Sequence, residues 1–486
     1  MDDSIIELLG FKQDDANAVI TYSSDSRLDI TLSKTPKATF CPICSCKMHS
    51  KGIYARTIRH PILQDSRVLT LTIKQRRYKC TNRLCGYSLT EEFSFVDKYK
   101  QTTNITDYLI IRDFRDHTLT AASIARKYHV SDTYVINTFA RYVDLDRLPL
   151  SEAICVDEVY LNIRGAGKYA LVIQDFITGE PIDILPDRKK ETTEPFFSSI
   201  PVQERLKVKY LIADMYKPYH KYIFDYFPNA VHIVDSFHVI QYINSHLQGY
   251  LRRLVQNIDE KDQAEHDKLE KYLNRKVYFH HSKEYHIAKN CQWLILKNLD
   301  NISYSTKPRY DKYLHCYMCT IDYEEALFKI DPTLKRLRDL KEEYIKFNNR
   351  YIGFPQLAAE GLERLIDMYR HSEQVLFSAY ISKTLSSNFD SIVNSFTVIQ
   401  KYTKKGLQES RLSNGPIEAL NRVPKDLKRN GNGYRNFEHV RQRVLYACRK
   451  EPTIRAIPKP LIEVLNPTGV KRGPYRKKSR EVSEDE

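Results

Sequence analysis

Short runs of apolar residues, separated by glycine and polar segments, mark the middle of the chain. Three runs, AICVDEVYLNI (153–163), KYALVIQD (168–175) and PIDILPD (181–187), are separated by glycine-containing turns, which predicts three strands joined as two hairpins. Two further runs rich in β-branched residues, KVKYLIAD (207–214) and NAVHIVD (229–235), enclose a helix-like segment and are typical of buried parallel strands. The pattern therefore predicts one mixed sheet, with three antiparallel strands followed by strand, helix and strand.

This order of strands is that of a ribonuclease-H-like sheet, and it brings two acidic residues together. Asp157 lies inside the first predicted strand, and Asp214 ends the fourth. The carboxyl ends of adjacent parallel strands form the ligand-binding crevice of an open α/β sheet. Because the first and fourth strands are neighbours in this topology, the two carboxylates can face one another and share a divalent cation. The alternative is a solvated Asp157 and a strand-end cap at Asp214.

Four cysteines in two close pairs flank strand-like segments in the N-terminal part of the chain. Zinc binds four sulfur or nitrogen ligands at tetrahedral corners, and two cysteine pairs held together by a β-ribbon supply such a set in a zinc ribbon. Cys46 and His49 are competing ligands for the first pair, and buried free thiols are the alternative to a metal site. A hairpin is predicted ahead of them, at 18–23 and 27–33. The predicted zinc ligands are Cys41, Cys44, Cys80 and Cys85.

Residues 119–142 have the pattern of a helix-turn-helix motif. One helix is predicted from Ala121 to Tyr128 and a second from Ser131 to Tyr142, with Ser131 as the N-cap. In such motifs the second helix enters the major groove of DNA, where its exposed side chains contact base edges and nearby basic residues contact phosphates. An ordinary helical hairpin is the alternative. The residues predicted to bind DNA are Arg126, Lys127, Ser131, Thr133, Tyr134 and Asn137.

Long polar segments with helical spacing fill residues 236–400 and predict a large helical insertion. Cys316 and Cys319 form a CxxC pair inside this region, but no second pair accompanies them. We therefore interpret these two cysteines as part of a helix face and not as a metal site.

A glutamate near the end of the chain occupies the first turn of a predicted helix. An Asn-Gly turn begins at Asn414, and Pro416 fits the first helical turn. Glu418 follows, with Asn421 on the same side of the helix. A favourable contact with the helix dipole is the alternative role for Glu418. Pro424 predicts a kink beyond Asn421, because a proline ring clashes with the carbonyl four residues earlier.

Chain length, net charge and the lengths of the apolar runs restrict the class of protein that this chain can be. The chain has 486 residues, which suggests several domains, and its net charge of +15 indicates a polyanionic partner, most simply nucleic acid. It contains no apolar run long enough to span a membrane, so we expect no membrane partner. The acidic start MDDSIIELLGF lacks the basic residues of a signal peptide. In the cytosolic location that this predicts, the ten cysteines are expected to be thiols or metal ligands.

Several well-separated motifs follow one another along the chain: CPIC…CTNRLC, ICVDEVY, VIQDFITGEPIDILPDR, ADMYKPY, FPNAVHIVDSFHVI and SNGPIEALN…KRNGNGYRNFEHVRQRVL. In this order, and with a long insertion before the last motif, the chain resembles the DDE transposases of bacterial insertion sequences, specifically the ISL3 family. The resemblance extends from Cys41 to about Cys448. It implies that the catalytic and metal-binding acids are Asp157, Asp214 and Glu418. Neighbouring acids of lower rank are Glu158, Asp175 and Asp235, the last with a supporting role beside His238.

The resemblance implies an enzyme, a DNA transposase that binds the ends of an insertion sequence, cleaves DNA strands and joins them to a target. Its cofactors would be a pair of Mg²⁺ (or Mn²⁺) ions held by the three acids, and one structural Zn²⁺. Its partners would be double-stranded DNA, as terminal inverted repeats and as target, and further copies of the chain in a homodimer or higher oligomer at the bacterial nucleoid. The alternatives are a DNA-binding regulator with an inert ribonuclease-H-like domain and a metal-dependent DNA nuclease.

The predicted fold class is multidomain, with a zinc ribbon, a helix-turn-helix and an α/β ribonuclease-H-like catalytic domain that is interrupted by a large helical insertion. The predicted boundaries are 1–40 for an N-terminal segment, 41–96 for the zinc ribbon, 104–146 for the helix-turn-helix, 151–254 for the first part of the catalytic core, 255–400 for the insertion, 401–450 for the last part of the core, and 466–486 for a basic, disordered tail.

Overall fold

The computed structural model describes residues 16–61, 67–164, 166–403 and 405–465. The chain divides into two compact units. The first unit comprises Met1–Asp146, Ile163–Gly165 and Val423–Glu486, and the second comprises Arg147–Asn162 and Ala166–Arg422. The predicted tail at 466–486 lies outside the described residues. Across the described part of the chain, no helix is both long and apolar enough to cross a membrane.

The first unit begins with a five-stranded sheet. Its strands are β1 (Ala16–Ser23), β2 (Arg27–Lys34), β3 (Met48–His60), β4 (Val68–Cys80) and β5 (Ser88–Thr90). The order is β1-β2-β4-β3, with β5 paired to β4. The pairs β1–β2 and β3–β4 are antiparallel, as their sequence patterns predict, whereas β2 and β4 are parallel. The N-terminal hairpin and the cysteine-bearing strands therefore share one sheet.

Three short helices follow the sheet, at Asn104–Asp113, Ala121–Tyr128 and Asp132–Tyr142. Thr120 and Ser123 form a reciprocal capping box at the start of the second helix. At the start of the third, a serine hydroxyl accepts a hydrogen bond from the backbone of Tyr134, which is the N-cap expected from the sequence. The predicted pair of helices therefore forms, with both starts fixed by side-chain caps.

The first unit also contains helices from the end of the chain, Phe437–Cys448 and Leu461–Leu465. Arg443 is buried and donates hydrogen bonds to the carbonyl oxygens of Phe114 (2.6 Å) and Leu119 (3.2 Å). Its guanidinium also lies 4.1 Å from the ring of Phe114. Because these contacts hold the helix against the N-terminal helices, the segment predicted as the last part of the catalytic core belongs in part to the first unit.

The second unit contains a five-stranded mixed sheet. Its strands are β6 (Ala153–Tyr160), β7 (Tyr169–Asp175), β8 (Pro181–Leu185), β9 (Tyr210–Ala213) and β10 (Val231–Val234), in the order β10-β9-β6-β7-β8. The pairs β6–β7 and β7–β8 are antiparallel, and the pairs β6–β9 and β9–β10 are parallel. All five strands and their directions agree with the sequence pattern.

Three helices accompany this sheet, at Lys190–Ser199, Val202–Arg205 and Lys217–Tyr226. Phe197 is fully buried among apolar side chains of the strands, with Tyr222 5.3 Å away between ring centroids. Burial of a large aromatic side chain is a main source of stability in such a core. The strands that carry acidic residues are thus held on a rigid apolar layer.

A mainly helical segment occupies the middle of the second unit and begins with a 38-residue helix, Ser236–Leu273. A two-stranded hairpin, β11 (Arg309–Asp311) and β12 (Cys316–Met318), lies within it. The large helical insertion predicted from spacing is therefore present, with a hairpin that the spacing did not predict. The remaining helical elements are Lys283–Asn290, Trp293–Leu296, Leu299–Asn301 (3₁₀), Thr320–Ile330, Thr333–Arg350, Pro355–Arg370, Leu376–Ile381 (π), Ser382–Ser387 and Phe389–Asn394.

The cysteine pair in the insertion does not lie on a helix face, so that prediction is wrong. Cys316 belongs to β12, and Cys319 is the N-cap of the next helix. The backbone amide of Cys319 donates a 2.8 Å hydrogen bond to Asp322, which fixes the start of that helix. Neither cysteine belongs to a group of metal ligands in the part of the chain that is described.

A second two-stranded hairpin, β13 (Val398–Thr403) and β14 (Gly406–Arg411), precedes the helix Gly415–Leu420. The next helix begins at Arg422 and ends at Asn430. The break between the two helices falls at Asn421, directly after Leu420, whose carbonyl would clash with the ring of Pro424 in a continuous helix. The predicted kink is therefore confirmed, and the turn that carries Glu418 is unaffected.

Candidate functional site

Three acidic residues occupy equivalent positions on adjacent parallel strands of the second sheet. Cys155 of β6 pairs with Ile212 of β9, and Asp157 and Asp214 each lie two residues further on. Asp235 follows β10 in the same way that Asp214 follows β9, because Val234 pairs with Ala213. Neighbouring strands are about 4.8 Å apart, so the sheet places these carboxylates side by side at its carboxyl edge.

Glu418 is held near this edge by the residue at the start of its helix. The backbone amide of Asn414 donates a 2.8 Å hydrogen bond to the buried carboxylate of Asp235, and its side-chain nitrogen lies 2.8 Å from Nε2 of His238. Asp235 in turn accepts a hydrogen bond from the backbone of Phe237 and caps the long helix. One buried aspartate therefore fixes the starts of two helices, one bearing His238 and the other Glu418.

The far end of the same short helix is tied to the first strand. The amide of Asn421 donates a 2.7 Å hydrogen bond to Oδ2 of Asp157, and Asn421 itself is buried. Glu418 lies three residues earlier, one turn back along the chain. The sequence showed Asn421 only as a neighbour of Glu418 on the helix, since its bond partner is 264 residues away.

The three predicted catalytic acids share one electrostatic environment. All are half-buried, and burial raises the pKa values of Asp157, Asp214 and Glu418 above those of exposed carboxyl groups. In each case the charge of another carboxylate adds to this increase, while His238 acts in the opposite direction on all three pKa values. His238 is therefore close enough to interact with every member of the set.

The oxygens of Asp157, Asp214 and Glu418 do not all lie within 4.8 Å of one another. Among the described residues, the possible metal ligands that form a group this close are cysteines. A two-ion site separates its ions by about 4 Å, so acids that bind different ions need not approach each other more closely. The arrangement is therefore compatible with a shared pair of divalent cations, to which carboxylate oxygens are well suited.

Two acids of lower rank have structural partners. Glu158 accepts hydrogen bonds from Arg188 and from the hydroxyl of Tyr219, each at 2.6 Å. Asp175 accepts hydrogen bonds from Ser151 and from the backbone at the turn after β7, both at 2.8 Å. These contacts occupy the carboxylate oxygens that a metal ion would need, so Glu158 and Asp175 support the fold around the site.

The four predicted zinc ligands come together in the first unit. Their sulfur atoms all lie within 4.8 Å of one another, and the shortest separation is 3.4 Å, between Cys44 and Cys80. A backbone hydrogen bond from Cys46 lowers the pKa of Cys44 to about 6, which favours the thiolate form that binds metals. The competing ligands Cys46 and His49 lie outside this group. The group that can hold a metal ion is Cys41, Cys44, Cys80 and Cys85.

Two of the residues predicted to bind DNA are engaged within the first unit. The prediction that Tyr134 is exposed is wrong, because its hydroxyl donates to Asp107, lies 2.8 Å from the hydroxyl of Thr102, and is half-buried. Lys127 donates a 2.7 Å hydrogen bond to Asp113, although its side chain is exposed. Both contacts tie the two predicted DNA-binding helices to Asn104–Asp113.

The other predicted DNA-binding residues remain accessible to different degrees. Arg126 and Thr133 are exposed, and Asn137 is half-buried. Ser131 is exposed, but its hydroxyl serves as the N-cap of the second helix. Thr133 and Asn137 are four residues apart and therefore lie on one face of that helix.

Two comparisons with known proteins relate this chain to transposases. Residues 154–444, which include all three predicted acids and more than half of the chain, match the ISL3 family of DDE transposases, described as transposase. The transposase for insertion sequence element IS1001 of Bordetella parapertussis is 23% identical over 455 residues, which cover 90% of this chain and 96% of that protein. The chain therefore belongs to the ISL3 family of DDE transposases and is a DNA transposase.

Proposed function

We propose that this transposase binds the ends of an insertion sequence, cleaves DNA strands there and joins the released ends to target DNA. The observation that carries the proposal is the convergence of Asp157 and Asp214, on adjacent parallel strands, with the helix of Glu418. The order of strands in the second sheet supports a ribonuclease-H-like catalytic domain. Cleavage and joining assays with a labelled terminal repeat, a target plasmid and Mg²⁺ test the proposal directly.

Two Mg²⁺ or Mn²⁺ ions fit the donor set of Asp157, Asp214 and Glu418. Burial raises the pKa values of these three carboxyl groups, and a nearby carboxylate adds to each increase, so divalent cations would supply the compensating charge. Bound there, such ions would activate water or a DNA 3′-hydroxyl and stabilise the leaving oxygen of an in-line displacement. No covalent protein–DNA intermediate is required, so no serine or tyrosine nucleophile is assigned.

The protein's own contribution is to hold these acids in place. Asn421 fixes one oxygen of Asp157 by its 2.7 Å hydrogen bond, which leaves the other oxygen for a metal ion. Asp235 holds the start of the helix of Glu418 through the backbone of Asn414. We assign Asp235, Asn414 and Asn421 as positioning residues, since each acts through a neighbouring group.

His238 is expected to influence metal binding without being a ligand. The substitution His238→Ala removes the contact with Asn414 and an imidazole that acts on the pKa values of all three acids. Loss of such an outer contact commonly weakens metal affinity about 10- to 100-fold. We expect the Mg²⁺ concentration for half-maximal cleavage to rise by about tenfold or more, measured by titration of cleavage against Mg²⁺.

The conservative change His238→Gln keeps a side-chain partner for Asn414 and should restore part of the Mg²⁺ affinity. His246, on the same long helix, provides a matched control, because His246→Ala leaves the acids untouched. A variant His238→Ala with the Mg²⁺ requirement of the unmodified protein would contradict the positioning role.

Recognition of the element ends is assigned to the first unit. A Zn²⁺ ion in the cysteine group would hold β3 and β4 together at their cysteine-bearing ends as a zinc ribbon. The helices Ala121–Tyr128 and Asp132–Tyr142 would act as a helix-turn-helix, with the second in the major groove. Pairing of two ends during transposition favours a homodimer or higher oligomer on the DNA.

Asn137 is the residue whose loss should most clearly affect specific binding to terminal repeats more than general binding to DNA. An asparagine side chain can form paired hydrogen bonds to adenine, and one such contact discriminates between bases by about 1–3 kcal/mol. We expect Asn137→Ala to reduce the preference for terminal repeats over random DNA by about fivefold or more, as measured by competition binding. Arg126→Ala serves as the comparison, since loss of a phosphate contact weakens both DNAs alike. Equal losses in Asn137→Ala would argue against base recognition at this position.

A further inference from the structure

The hairpin within the helical insertion presents two tyrosine rings to solvent. Tyr310 of β11 and Tyr317 of β12 are directly paired across the strands, and their ring centroids are 5.4 Å apart. Tyr310 is 57% exposed and Tyr317 is 69% exposed. Since side chains on paired positions of two strands point to the same face, the two rings form one exposed aromatic surface. We call residues 307–318 the tyrosine hairpin.

The opposite face of the tyrosine hairpin is anchored to the protein. Asp311 accepts a hydrogen bond from the hydroxyl of Tyr323 (2.6 Å), which lies outside the hairpin. The backbone amides of Tyr313 (2.8 Å) and Leu314 (3.1 Å) also donate to Asp311 and close the turn of the hairpin itself. Leu314 at the turn is buried. Isolated two-stranded hairpins are marginally stable in water, so these contacts explain how the hairpin keeps its exposed face in one conformation.

The surroundings of the exposed rings are basic. The segment 307–318 contains three basic residues, Lys307, Arg309 and Lys312, and all three are exposed. Its single acid, Asp311, is the residue bound inward by Tyr323. Lys312, at the turn of the hairpin, lies 4.9 Å from the ring of Tyr313. The hairpin thus combines exposed aromatic rings and exposed cations in one short segment, and its single acid is bound inward.

We propose that the tyrosine hairpin binds unpaired bases of DNA, with Tyr310 and Tyr317 stacking on bases and the adjacent cations contacting phosphates. Aromatic side chains in basic surroundings are the usual means of binding single strands, because each base offers a ring face once it is unpaired. A fully paired duplex hides those faces. The inference rests on the proposed function, since the same unit carries the acids that act on DNA strands, and strand cleavage and joining create unpaired ends.

The test compares binding of an unpaired oligothymidine with binding of a fully paired duplex of equal length, both fluorescein-labelled, in buffer without added divalent metal. The full chain is compared with the double variant Tyr310→Ala/Tyr317→Ala. We expect the oligothymidine to bind about fivefold or more weakly to the variant, the smallest loss that removal of one base stack produces. Binding of the duplex should change less than about twofold, since its bases stay paired.

Two further variants separate stacking from loss of folding. Tyr310→Phe/Tyr317→Phe keeps both rings and should bind the oligothymidine like the unmodified chain. Tyr272→Ala removes a tyrosine that is 86% exposed on the long helix, outside the hairpin, and should have no effect. Ultraviolet cross-linking of the unmodified chain to bromodeoxyuridine-labelled single strands should map to Tyr310 or Tyr317.

Equal losses on both DNAs, or unchanged binding of the oligothymidine by the alanine variant, would overturn the proposal. If the alanine variant no longer self-associated but bound DNA like the unmodified chain, the proposal would also be overturned, because the surface would then face a second copy of the chain. These outcomes are independent of the catalytic assignment, because binding is measured without cleavage. Should Asp157→Asn cleave normally while the hairpin variants lose single-strand binding, the proposed function would fail and the hairpin would retain its role.

Discussion

Asp157→Asn, Asp214→Asn and Glu418→Gln are each expected to abolish strand cleavage and joining while leaving folding and end binding intact. Each substitution is nearly isosteric but removes a charged oxygen from the proposed metal site. Metal ions contribute several kcal/mol of transition-state stabilisation, and a loss of about 4 kcal/mol lowers the rate about a thousandfold. Single-turnover cleavage of a labelled terminal repeat with Mg²⁺ measures this loss for each variant.

Glu194→Gln is the matched control for Glu418→Gln, because Glu194 is an exposed helical acid paired only with Lys190. It should cleave at the rate of the unmodified chain. If Glu418→Gln retained near-normal cleavage, Glu418 would be a helix-end contact worth about 0.3–1 kcal/mol of stability, and the assignment would be wrong. If the unmodified chain itself did not cleave the labelled terminal repeat with Mg²⁺, a DNA-binding regulator would account for the protein better.

The same acids predict how cleavage depends on pH. Burial, together with the charge of nearby carboxylates, raises the pKa values of Asp157, Asp214 and Glu418, so protons compete with metal ions at a higher pH than for exposed carboxylates. Activity should therefore fall as the pH decreases through these raised values. A higher Mg²⁺ concentration should shift the fall to lower pH, which a series of rate profiles at several Mg²⁺ concentrations would reveal.

Cys80→Ser is expected to release the metal ion and unfold the cysteine-bearing end of the first sheet. Cys80 ends β4 and its sulfur lies 3.4 Å from that of Cys44, so its loss breaks the link between the two cysteine pairs. Structural zinc contributes about 10–16 kcal/mol of binding free energy in small zinc-binding peptides. Elemental analysis of the full chain should fall from about one zinc per chain to almost none, with an earlier first transition in thermal unfolding.

Cys46→Ser is the matched control, since Cys46 lies beside the first pair but outside the group of four. It should retain the zinc and the melting profile of the unmodified chain. A Cys80→Ser variant with one zinc per chain would place the metal elsewhere, and a stable, folded protein without zinc would remove the structural role altogether.

The five strands of the second sheet could be predicted because each is a short apolar run bounded by turn residues. The register that aligns Asp157 with Asp214 follows from parallel pairing of β6 and β9 alone. In contrast, the bonds of Asp235 to Asn414 and of Asn421 to Asp157 join residues separated by 179 and 264 positions. No local pattern reports such contacts, so the support of Glu418 became evident only from the folded chain.

Tyr134 shows the limit of helical spacing as a guide to exposure. Its position on the helix Asp132–Tyr142 is correct, but spacing does not reveal the helix Asn104–Asp113 packed beside it. The hydroxyl of Tyr134 finds Asp107 there, and burial raises its pKa. A polar tip on a large ring can suit either a DNA groove or a protein interior, and only the neighbouring helix decides between them.

The long-range bonds of the helix Gly415–Leu420 also determine when the enzyme can first act. A ribosome adds about 5–20 residues per second, so strands β6 to β10 emerge well before Glu418 and Asn421 do. Until the segment after the helical insertion has been synthesised and has reached the sheet, Asp157 lacks its partner and the third acid is missing. A nascent or prematurely terminated chain that lacks this segment therefore lacks both the hydrogen bond to Asp157 and the third acid of the proposed site.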